Sequence, residues 1–100
     1  MRPGLTDRRQ RTERRLFDVS ARLERARAEL EVIEAQLDEL AEQADAAKVR
    51  AVVAETPLAQ QVWTEAKRRA DQMAHSRDAA REAVTELEHT QDELIGELLV

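Results

Sequence analysis

Cysteine is absent from these 100 residues, which excludes a disulfide framework, a thiolate nucleophile and zinc sites of the cysteine type. Only two glycines and two prolines occur, too few for a Gly-rich phosphate loop, a nucleophile elbow or a dinucleotide-binding fingerprint. Phe17 and Trp63 are the only aromatic residues, and 17 of the hydrophobic residues are alanine. A core able to wall off a catalytic pocket is therefore not expected, and neither an enzymatic activity nor a cofactor is. No apolar run approaches the roughly 18 residues of a membrane-spanning helix, and the first residues lack the apolar stretch of a signal peptide. The expectation is a soluble, unexported cytoplasmic protein that does not use a membrane.

What the chain does contain is charge and helix formers. Charged residues make up 37% and the net charge is −5, the composition of a long helix or coiled coil. Fourteen Arg against two Lys, with abundant Ala, fit a GC-rich bacterial genome. Leu16, Val19, Leu23, Ala26, Leu30, Ile33, Leu37, Leu40, Ala44, Ala47 and Ala51 follow one another at alternating steps of three and four, the a/d seam of a heptad repeat. After a break at Thr56-Pro57 the alternation resumes through Ala59, Trp63, Ala66, Ala70, Met73, Arg77, Ala80, Val84, Leu87, Gln91, Leu94 and Leu98.

Folding back at the break pairs the two stripes so that the residue numbers of each facing pair keep a constant sum. Large then mostly meets small: Leu37 faces Met73, Leu40 faces Ala70, Leu30 faces Ala80, Ala26 faces Val84 and Ala47 faces Trp63. Leu16 with Leu94 and Leu23 with Leu87 close the open end. Charge supports the same alignment. Residues 29–45 carry seven acids and no Lys or Arg, and they face a segment containing Lys67, Arg68, Arg69, Arg77 and Arg81. Flanking positions offer Arg15 with Glu97, Glu34 with Arg81 and Arg27 with Glu88, pairs that select alignment more than they stabilise. Two polar residues interrupt the second stripe and are expected to fix register: Arg77, whose head would reach Glu34, and Gln91, which faces Val19.

The predicted architecture is all-α: an antiparallel two-helix coiled-coil hairpin in a single domain, with pairing into a four-helix bundle as its route to oligomerisation. Residues 1–5 read as frayed, Thr6 as an N-cap, 6–54 as helix 1, 55–57 as the turn and 57–98 as helix 2, with Gly96 a weak point. Pro57 displaces the residue before it from helical geometry, which suits Thr56 to N-cap and Pro57 to first helical position. Two helices of roughly 42 residues would each run about 60 Å.

Two apolar groups lie off the seam. Helix 1 has a weaker stripe on its back, including Phe17, Ala21, Ala28, Val32 and Ala35, interrupted by Arg25, Glu39 and Glu42. Helix 2 has no counterpart, so the stripe reads either as surface alanines chosen for propensity or as a self-association face giving a homodimer. The second group, Val49, Val52, Val53, Leu58, Val62 and Trp63, surrounds the turn. It reads either as a structural cap in which Trp63 covers the loop and the valines wrap it, or as a binding site for an as yet unidentified protein partner.

Other chemistry is weakly supported. Arg2, Arg8, Arg9, Arg11, Arg14 and Arg15 could meet phosphates, yet the remainder of the chain is acidic, which argues against nucleic acid. His75 and His89 are 14 residues apart with no neighbouring His or Cys, so no metal site is expected. The expected function is a non-enzymatic protein-interaction or regulatory module acting through the turn and the outer face of helix 1. The alternative is a nucleic-acid- or RNA-polymerase-associated regulatory factor using the Arg-rich start.

The stretch Glu55-Thr-Pro-Leu-Ala-Gln60, with Thr90-Gln-Asp-Glu-Leu-Ile95, resembles small uncharacterised coiled-coil hairpin proteins of high-GC bacteria. The resemblance covers mainly helix 2; it implies a fold and no activity. Transcription-cleavage factors that work through paired acids at a coiled-coil tip differ from this chain, whose tip has only Glu55.

Overall fold

A computed structural model describes residues 4–100 and is a helical hairpin of two elements, α1 (Leu5–Ala54) and α2 (Pro57–Leu99). Every seam position from Leu16 to Ala51 and from Ala59 to Leu98 is buried or partly buried, so the heptad phase seen in the sequence is the packing phase. The start differs by a little. Because α1 already begins at Leu5, Thr6 lies inside its first turn rather than at the N-cap, and the Gly4 carbonyl accepts the Arg8 N–H at 3.3 Å. Leu5, assigned to the frayed segment, is helical; Arg2 and Pro3 lie outside the described residues. No helix is long and apolar enough to cross a membrane among the described residues.

The chain divides into two compact units. The first joins the residues up to Ala28 with Arg81–Val100. Its core is branched aliphatic: Leu23 and Leu94 are each 1% exposed, and Val19 and Val84 are buried beside them. Burying one such leucine is worth about 1.5–3 kcal/mol. Polar contacts between the helices follow the expected alignment. Arg27 meets Glu88 at 3.2 Å, Gln91 Nε2 donates to Ser20 Oγ at 3.1 Å, and an Arg9 guanidinium N–H donates to the Leu98 carbonyl at 3.1 Å.

Thr12 extends the seam by one step beyond the apolar stripe and is buried. Its hydroxyl lies 3.1 Å from the Arg8 carbonyl and 3.4 Å from Glu97 Oε2. Two acceptors thus share the single proton of this hydroxyl, the Arg8 carbonyl being the nearer, and the Glu97 contact is to Thr12 where Arg15 was expected.

The second unit, Glu29–Ala80, contains the turn. Alanine dominates its seam near the turn: Ala51 is fully buried and Ala47 is 3% exposed, while Trp63 is only partly buried. Arg77 is partly buried, and its guanidinium binds Asp78, the next residue of its own helix, with Nε at 3.0 Å and a terminal nitrogen at 2.9 Å from Oδ1. This pair lies within one helix, so it orders only a neighbouring side chain.

Candidate interaction surface at the turn

The turn consists of Glu55 and Thr56 alone. Glu55 adopts a left-handed conformation, φ 52°, and its N–H donates to the Ala51 carbonyl at 3.1 Å. This is the αL helix stop that glycine usually supplies. Thr56 caps the next helix as expected. Its Oγ1 accepts the Ala59 N–H at 3.1 Å and its carbonyl accepts the Gln60 N–H at 3.1 Å, with Pro57 in the first helical position, where no N–H is needed. One carbonyl of α1 and two N–H groups of α2 are thereby satisfied without water.

Around this fixed backbone the apolar residues stand outward. Val53 is 78% exposed and Leu58 70%, and Val49, Val52 and Val62 are exposed as well. Ala47 and Ala51 are buried in the seam, while these five side chains are exposed. Trp63 differs from the other five, being partly buried at its seam position.

Two shallow concavities mark this end. One, on α1, is lined by Asp45, Lys48, Val49, Val52 and Val53. The other runs between the helices, with Ala46, Ala47 and Ala66 among its lining, Leu58 and Val62 beside them, and Gln43, Gln61, Arg50, Glu65 and Arg69 supplying polar groups. Glu65 is engaged from within its own helix by Arg68 and Arg69, each at 3.6 Å. Arg50 was not singled out from the sequence, and Arg69 was named only among the cations facing the acidic segment of helix 1. The available signal was their placement beside a seam that is alanine except for Trp63.

The proposed self-association residues fall in both units. In the first, Phe17 and Ala28 are exposed while Ala21 is partly buried; in the second, Val32 and Ala35 are exposed. The interrupting Arg25, Glu39 and Glu42 are exposed too. Of the arginine-rich start, Arg9 is engaged by Glu13 at 3.2 Å as well as by the Leu98 carbonyl. His75 is exposed, and His89 pairs with Glu93 at 2.8 Å. No group of three or more potential ligands is placed to hold a metal among the described residues. No family model matches the chain, and neither a curated protein nor a solved structure does.

Proposed function

We propose that the chain is a cytoplasmic, non-enzymatic protein-interaction module, a regulatory or adaptor hairpin that docks its partner at the turn and pairs with a second copy through the outer face of α1. The observation that supports this reading is the cluster of Val49, Val52, Val53, Leu58 and Val62, all exposed, around a backbone held by the Thr56 cap. Clustered apolar surface of this kind is unusual unless something covers it. Side chains carried on a pre-ordered turn also lose little freedom on docking.

Replacing Val52 and Val53 together with Ser is the direct test. With the full chain as bait in an extract of its native cell, the proteins retained by the unmodified chain should be lost. Stability should move by no more than about 0.5 kcal/mol, as at other exposed positions. Unchanged capture would place the binding surface elsewhere. For self-association, Val32→Glu with Ala35→Glu should convert dimer to monomer in sedimentation while leaving helicity intact, and a monomeric unmodified chain at high micromolar concentration would overturn that half of the proposal.

A further inference from the structure

We infer that the segment received at the turn is an acidic amphipathic helix of a partner protein, seated in the groove between α1 and α2 and held at its edges by Arg50 and Arg69. This rests on the interaction-module reading and adds the chemistry of the partner. The groove is lined by the small side chains of Ala46, Ala47 and Ala66, with Leu58 and Val62 beside them. Interaxial distance between packed helices is set by the side chains at the contact, so the alanines at the floor leave room for a third helix, with Gln43, Gln61, Arg50, Glu65 and Arg69 supplying the polar part of the lining. Apolar anchors at i, i+3 or i+4, and i+7 are what such a groove reads.

The charges decide which helix fits. Arg50 comes from α1 and Arg69 from α2, on opposite edges of the groove. With Ala47 facing Trp63, Arg50 lies three residues toward the turn and Arg69 six residues away from it, an axial separation of about 13 Å at 1.5 Å per residue. That matches carboxylates two to three turns apart on opposite edges of an incoming helix. The one acid of the lining, Glu65, shares its carboxylate with Arg68 and Arg69 at 3.6 Å, so the lining keeps an excess of positive charge, carried by Arg50, which makes no hydrogen bond or ion pair with the described residues. A basic partner would instead be drawn to residues 29–45, which carry seven acids and no Lys or Arg. Arginine at the edge of an apolar groove is also the cation most often found at binding hot spots, because its planar fork grips a carboxylate with two parallel bonds.

The test uses the full chain as the target for selection from a displayed library of helical peptides randomised on one face and both edges. The selected peptides should carry Leu or Ile at the anchor spacing and Asp or Glu at the edges. A labelled peptide from that set, followed by fluorescence anisotropy, should bind the Arg50→Glu, Arg69→Glu variant roughly tenfold or more weakly. Binding should return when the peptide's edge acids are changed to Lys. Neutral or basic selected peptides, no selected peptides, or an affinity indifferent to the charge reversal would overturn the inference. A dimer of the chain alone that Arg50→Glu dissolves would give the groove to a second copy and also overturn it. Leu58→Ser with Val62→Ser separates the two readings. Binding lost with this variant but kept on charge reversal leaves the interaction surface standing and removes the acidic helix; binding kept in both removes both.

Discussion

Gln91 Nε2 donates to Ser20 Oγ at 3.1 Å across the helices. Of the two polar residues that interrupt the stripe of α2, this one therefore has its partner one step off the stripe of α1, and that partner exists in one alignment only. Sliding the helices by a heptad in either direction would put Arg27 or Glu13 where Ser20 stands. An amide at a seam position gives up stability for this selectivity.

Gln91→Leu should consequently raise the thermal midpoint, by the equivalent of about 1 kcal/mol, since an apolar side chain of similar length packs toward Val19 and the Ser20 hydroxyl can turn to water. The same change should loosen register. Cysteines replacing Leu23 and Leu87, or Leu37 and Met73, are expected to crosslink efficiently within one chain, and the yield should fall when Gln91→Leu is added. An undiminished yield would mean that size complementarity alone sets the alignment. Preferential crosslinking between chains at every concentration would instead indicate a swapped dimer.

At the turn, Glu55 holds φ at 52° without being glycine. The left-handed region costs an ordinary L-residue roughly 1–2 kcal/mol, so Glu55→Gly should stabilise the hairpin by about 1 kcal/mol. Thr56→Ala removes the acceptor of the Ala59 N–H and should cost about 1 kcal/mol. Urea unfolding of the two variants should show midpoints displaced in opposite directions. Equal displacement in the same direction would contradict the conformation of the turn.

Gly96 lies inside α2, and a methyl group added there would meet nothing within 4 Å. Gly96→Ala should therefore gain about 0.5–1 kcal/mol from reduced unfolded-state entropy and better helix propensity. Circular dichroism melting is sufficient to see it, and a loss of stability would mean that the position is not open.

Much of the fold was legible because a heptad stripe states both the helix and the face it buries, and Thr56-Pro57 marks one stop and one start. Thr12 escaped because it continues the spacing of the stripe without its hydrophobicity. The Arg8 carbonyl and Glu97, both within reach of its hydroxyl, show why a polar group is tolerated there. The conformation of Glu55 escaped for a similar reason, since its side chain carries no signal for a left-handed stop. Long side chains were the least legible: the pair that Arg77 makes with Asp78, the next residue of its own helix, carries no signal in the heptad pattern. The apolar character of the turn was visible in the sequence. That its valines are exposed while Ala47 and Ala51 are buried was not, because the two readings of the cluster differ in side-chain exposure and not in spacing.

The two leucines that are 1% exposed, Leu23 and Leu94, make the sharpest test of where packing stabilises the hairpin. Truncating a fully buried leucine removes its transfer free energy and leaves a cavity, which together cost about 2–5 kcal/mol. Leu40, facing Ala70, is only partly buried, so the space left by its truncation opens to water and the cavity cost is smaller. Leu23→Ala and Leu94→Ala should each destabilise by about 3 kcal/mol in urea unfolding, and Leu40→Ala by about half as much. A domain of this size is stable by only about 5–15 kcal/mol in total, so Leu23→Ala and Leu94→Ala combined should leave the chain unfolded, or nearly so, at physiological temperature. Equal costs at all three positions would mean that the burial of Leu23 and Leu94 does not set them apart energetically.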